Sequence, residues 1–133
     1  MQHDAFIGQV QARARLDSRG SAETATRATL ETLAERIPAD LAGDLAAQLP
    51  REISENILRI TSQPGEEQGH RFDRDEFIAR VKQRSHTDEP KAAHIARVVF
   101  EVLDEATTGG TMEKVRQSLP EDLRQLALAG SKG

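Results

Sequence analysis

The string AAQLPREI at residues 46–53 returns seventy positions later as RQSLPEDL at residues 116–123. Two copies of one joint at a fixed spacing constrain the chain to two like halves, so internal repetition sets the architecture before any single element is placed. The joint itself has a local cause. Leu49 precedes Pro50 and Leu119 precedes Pro120. A residue before proline is pushed out of the α region, so the helix stops and the chain turns. The leucine side chain then fills the corner, and the proline opens the next helix where a missing N–H costs nothing.

The echo extends well beyond the joint. Phe6, Ile7 and Val10 match Phe77, Ile78 and Val81 at an offset of 71. One residue is then lost, and the offset becomes 70: Ala22 with Ala92, Arg27 with Arg97, Glu31 with Glu101, Leu33 with Leu103, Glu35 with Glu105. Leu30 stands opposite Phe100, Leu45 opposite Val115 and Ile53 opposite Leu123. The reading is all-α, with about eight helices in two pseudo-symmetric four-helix repeats packed around one core. Repeat 1 runs from about 4 to 60, a linker from 61 to 72 and repeat 2 from about 73 to 129, all within a single domain over 1–133.

Helical periodicity supports this almost throughout. The expected caps are Asp4 for the first helix, Ser21 for the second, Asp40 for the third, Asp73 with Glu76 as a capping box for the fifth, and Thr111 for the seventh. Pro38 ends the second helix and Pro90 opens the sixth. Gly109-Gly110 is a turn between helices. The helix around 92–106 carries apolar residues over more than half its circumference, so it is expected to be the central and most buried one. Its earlier copy shows a narrower apolar stripe. No strand is expected.

Composition narrows the setting. No stretch approaches the roughly 18 apolar residues of a membrane span. Cysteine is absent, which removes disulfides, thiolate metal sites and cysteine nucleophiles and suits a cytoplasmic location. The first residues, MQHDAFIGQV, lack the basic and apolar regions of a secretory signal. The net charge of −4 gives no global attraction to nucleic acid or to an anionic membrane. Arginine outnumbers lysine 14 to 4, which reads as coding bias in a GC-rich bacterium.

Three side-chain groups are candidates for chemistry. Arg27, Glu31 and Glu35, with their copies Arg97, Glu101 and Glu105, form successive i, i+4 steps. Duplicated carboxylates of this kind can hold a metal or do acid–base work. A helical di-iron site would need Glu-x-x-His on facing helices. The only such string is Glu67 to His70, in a glycine-bearing linker, so no metal ligand and no cofactor is assigned. The structural alternative is a stripe of i, i+4 Arg–Glu pairs, or an Arg–Glu contact between repeats. The four histidines, His3, His70, His86 and His94, have no zinc spacing. The basic helix around 76–84 presents Arg80, Lys82 and Arg84 for phosphate contacts. Against that stand Asp73, Asp75, Glu76 and the absence of Tyr or Trp for base stacking. No nucleophile elbow, organised triad or phosphate loop is present, so no catalytic residue is assigned.

The segments ATRATLETLAERIPADLAGDLAAQLPREI and TTGGTMEKVRQSLPEDLRQL resemble the bacterial domain-of-unknown-function family 2267, over essentially the whole chain. The resemblance implies a helical domain with a "QLP" step after the third helix of each half, and a bacterial source. It implies no reaction and no site residues. The leading reading is a small cytoplasmic helical module that associates with a protein partner or with itself. A nucleic-acid-associated regulator using Arg80, Lys82 and Arg84 is the alternative, and a carboxylate ligand or metal site on the long helices is the third.

Overall fold

The computed structural model describes residues 1–62 and 71–130. The Glu67–His70 string and most of the expected linker lie outside the described residues. Eight helices follow one another among them: α1 (His3–Ala14), α2 (Arg19–Arg36), α3 (Ala39–Ala47), α4 (Arg51–Thr61), α5 (Arg74–Ser85), α6 (Glu89–Ala106), α7 (Thr111–Gln117) and α8 (Glu121–Gly130). The all-helical reading therefore holds, and helices pack on helices throughout.

Helix ends show where local signals are decisive. Asp73 caps α5 by accepting from the Glu76 N–H at 3.0 Å. Glu76 does not complete the capping box, because its carboxylate accepts from Arg80 instead. Asp88 caps α6 in the same way, and Pro90 sits in its first turn. Other expected caps move. Ser18, not Ser21, caps α2, and the Ser21 N–H is the donor it satisfies. Gln2, Pro38 and Gly110 occupy the cap positions of α1, α3 and α7, which leaves Asp4, Asp40 and Thr111 inside the first turns. An acid one or two residues inside a helix gains from the dipole without capping it. Pro50 and Pro120 stand one residue earlier than expected, just before α4 and α8. There the Pro50 carbonyl accepts from the Ile53 and Ser54 N–H groups and the Pro120 carbonyl from that of Arg124. Leu49 and Leu119 are buried at the joints, as the corner-filling argument requires.

One cluster of buried apolar side chains runs from Phe6 to Ala127 and takes residues from all eight helices. The long helices α2 and α6 touch each other at its centre. Helix α1 packs on both α2 and α6, and α5 packs on both α6 and α2. Helix α4 covers α2, α8 covers α6, and α3 lies against α4 and α7. Phe77 stacks on Phe100 at 6.0 Å between ring centroids, which ties α5 to α6 inside the core.

The expectation that α6 alone is the central helix needs correction. Helix α2 is as deeply buried, because its threonines go inside. Thr26, Thr29 and Thr32 are fully buried. Each hydroxyl donates to the carbonyl four residues earlier, at 2.9, 2.9 and 2.8 Å. With their hydroxyls satisfied by their own helix, Thr26 and Thr29 present only methyl and methine surface to their neighbours, while the Thr32 hydroxyl also accepts from Arg84 of α5. That widens the buried face of α2 beyond its leucine and alanine stripe.

Candidate functional site

The duplicated glutamates do not pair along their own helices. Among the described residues neither Arg27 nor Arg97 forms an ion pair. Instead, arginines of α5 cross to the long helix α2, and an arginine of α1 crosses to the long helix α6. Arg84 of α5 holds Glu35 of α2 with two parallel bonds, Nη1 to Oε1 at 2.9 Å and Nη2 to Oε2 at 2.7 Å. Its Nη1 also donates to the Thr32 hydroxyl at 2.8 Å, and its Nε lies 3.7 Å from Glu31. Arg80 adds a bond from Nη1 to Glu35 Oε1 at 3.1 Å. Glu31 takes a further contact at 3.3 Å from Arg59 of α4.

The second cluster is built in the opposite sense. Arg13 of α1 holds Glu105 of α6 bidentately at 2.6 and 2.8 Å, and donates as well to Glu101. Cross-helix contact wins over the i, i+4 neighbour for a geometric reason. A bidentate guanidinium–carboxylate pair makes two parallel charge-assisted bonds, where an i, i+4 pair along one helix contributes only about 0.2–0.5 kcal/mol. Glu31 and Glu35 keep 15% and 20% of their side-chain surface. Arg27, by contrast, is exposed.

Electrostatics follow the geometry. Burial pushes the Glu35 carboxyl up, but the hydrogen bonds and charges of Arg84 and Arg80 outweigh it and hold the group below its ordinary value. The hydrogen bond from Arg13 holds Glu105 below the ordinary value as well. Arg13 is correspondingly raised, chiefly by its bond to Glu105. These carboxylates stay ionised and neutralised, which is the reverse of what a general acid needs.

The basic helix is disposed differently from the sequence expectation. Arg80 and Arg84 turn inward to Glu35, and Arg80 also lies over the Phe72 ring at 4.1 Å. Lys82 is exposed on another side of α5. The structure thus does not gather Arg80, Lys82 and Arg84 into one outward cluster. His3 faces Glu23 at 3.3 Å, His86 is exposed, and His94 is half-buried on α6. Among the described residues no group of three or more His, Asp or Glu could hold a metal ion.

Two features were not singled out from the sequence. Arg116 of α7 donates to Asp104 of α6 at 2.6 Å, while the other carboxylate oxygen of Asp104 is buried without a partner among the described residues. Arg36, at the end of α2, is buried and has no carboxylate partner among the described residues. Cations are common in the last turn of a helix, where they favour the dipole, so local sequence does not mark Arg36 out.

The fold and the site define a small all-helical bundle in which Arg13, Arg80 and Arg84 bridge helices through Glu101, Glu105 and Glu35. Residues 3–126 match the family described as "Uncharacterized conserved protein (DUF2267)", and the chain belongs to that family. A search of curated proteins finds no match. Among the described residues no helix is long and apolar enough to cross a membrane.

Proposed function

We propose that the chain is a helical association module of the bacterial cytoplasm, acting on a protein partner or on a second copy of itself. One observation carries the reading: of the glutamates and arginines that suggested chemistry, Glu31, Glu35, Glu101, Glu105, Arg80 and Arg84 are spent on internal ion pairs, and only Arg27 and Arg97 form none among the described residues. These pairs hold helices together and leave a rigid scaffold whose remaining surface is available for recognition. The nucleic-acid alternative loses Arg80 and Arg84 to Glu35 and keeps only Lys82 of its three cations.

The test is affinity capture of the tagged chain from its native lysate at low salt, with and without nuclease, read by mass spectrometry and nucleic-acid sequencing. Sedimentation of the purified chain runs beside it. A protein partner that survives nuclease, or a defined oligomer in sedimentation, supports the module. Recovery of nucleic acid, with proteins lost after nuclease, overturns it in favour of the regulator.

A further inference from the structure

We propose that the cleft between the end of α2, the entry to α5 and the α7–α8 corner binds a small oxyanion carried on an apolar body. The cleft is open to solvent and has a volume of about 560 Å³. Arg36 lines it and is 8% exposed. Its Nε donates to the Phe72 carbonyl at 2.8 Å, which fixes the plane of the guanidinium. Among the described residues its two terminal nitrogens have no acceptor, and no carboxylate lies within ion-pairing distance. Those nitrogens open onto the cleft, so a largely buried side chain presents an uncompensated cation to whatever fills it. Two unused donors on one rigid edge match the two oxygens of a carboxylate or phosphate.

The surroundings point the same way. Arg71 also lines the cleft, and its charge, after burial, helps to lower the affinity of Arg36 for its proton. An anion between the two cations relieves that repulsion. The nearby acids are engaged elsewhere: Asp73 caps α5, and Asp122 accepts from the backbone N–H groups of Arg74 and Leu123 while favouring the Arg36 cation only through space. Phe72, Leu119 and Pro120 supply apolar walls, which suit a ring-sized body behind the charged group.

The corner is open for a reason readable in the repeat. At the position 70 residues before Ser118, Gln48 spans its corner, accepting from the Thr108 N–H at 2.7 Å and donating to the Thr111 hydroxyl. Ser118 is too short to do this and turns back onto the Val115 carbonyl at 2.7 Å. The residue that would offer the matching N–H is Pro38, which has none.

The experiment titrates the full chain with phenyl phosphate, benzoate and inorganic phosphate, by calorimetry and by NMR shifts of the Arg36 side-chain Nε–H and the Phe72, Ser118 and Leu119 amides. One saturable site is expected for phenyl phosphate or benzoate, with inorganic phosphate weaker. Whichever of the two ring probes binds tighter names the headgroup. Arg36→Gln should weaken binding about tenfold or more, the scale of losing a bidentate charged pair. Arg71→Ala should weaken it several-fold. Arg71 is exposed and its side chain makes no hydrogen bond among the described residues, so that variant decides if Arg36→Gln does not fold. Absence of saturation with all three probes, shifts confined to another surface, or affinities unchanged in Arg71→Ala would overturn the proposal. Equal affinity for inorganic and phenyl phosphate would remove the apolar body from it.

Discussion

Removing Arg84 is the sharpest test of the cross-helix clusters. Arg84→Ala deletes two bonds to Glu35, one to Thr32 and a near contact to Glu31. A hydrogen bond to a charged group contributes about 1.5–3 kcal/mol where water is excluded. The full sum does not apply here. Arg84 keeps 26% of its side-chain surface, Glu35 retains Arg80, and Glu31 retains Arg59. A loss of about 2–3 kcal/mol follows once the residual partners and solvent are discounted. The informative quantity is the coupling between Arg84→Ala and Glu35→Ala in a double-mutant cycle, expected at about 1–2 kcal/mol against about 0.2–1 for a solvent-exposed pair. Urea is the denaturant of choice, since guanidinium would screen the interaction being measured. A coupling at or below about 0.5 kcal/mol would refute the argument that packing between α2 and α5 strengthens the pair.

The same clusters predict a pH dependence. Glu35 and Glu105 have folded values below the ordinary 4.5, so their contribution is complete above that value and is lost as pH falls through the lower folded values. Urea midpoints should therefore be flat near neutrality and drop below about pH 4.5, with a smaller drop in the Glu35→Gln variant. Within α2, Thr29→Val should be close to neutral, within about 1 kcal/mol, because its hydroxyl serves only its own helix. Thr32→Val should cost about 1 kcal/mol more, because Thr32 also accepts from Arg84; equal midpoints for the two would contradict the assignment. His86 ends α5 in the left-handed conformation at φ 58° with its side chain exposed. His86→Gly should stabilise the chain by about 0.5–1 kcal/mol, read as a higher melting temperature, since glycine adopts that conformation without a Cβ penalty.

Much of the fold was legible because its punctuation is local. Proline acts on its immediate neighbours, so the Leu49-Pro50 and Leu119-Pro120 joints could be placed without knowing what packs on them. Caps were less legible. Ser18 and Ser21 both offer an oxygen near the start of α2, and only the backbone path decides which one accepts and which one donates. The burial of Thr26, Thr29 and Thr32 was hidden because threonine counts as polar until its hydroxyl is seen to bond backwards. Glu31, Glu35, Glu101 and Glu105 stood out through their spacing, but their partners did not. Arg84 is 49 residues from Glu35, and Arg13 is 92 from Glu105. Arg36 was invisible for the same reason, since its cleft joins residues of α2, the entry to α5 and the α7–α8 corner.

The crossed pairing carries a consequence for each half alone. Arg13 and Arg84 stand 71 residues apart, as Phe6 and Phe77 do, while Glu35 and Glu105 stand 70 apart. We propose that this is a duplication in which each half supplies the cation for the other. Residues 1–62 alone would then keep Glu31 and Glu35 but lose Arg80 and Arg84, and would expose the face of α2 that α5 covers. That fragment still owns an Arg13 suited to the Glu35 of a second copy. A symmetric dimer therefore satisfies what a monomer cannot, and a two-fold pair is the simplest closed assembly. Sedimentation of the 1–62 fragment should show a helical dimer, and Arg13→Glu should abolish it by setting like charges against each other. A folded monomer would show that the crossed arginines are not required to complete a half. An unchanged dimer in Arg13→Glu would show that the halves associate through another face.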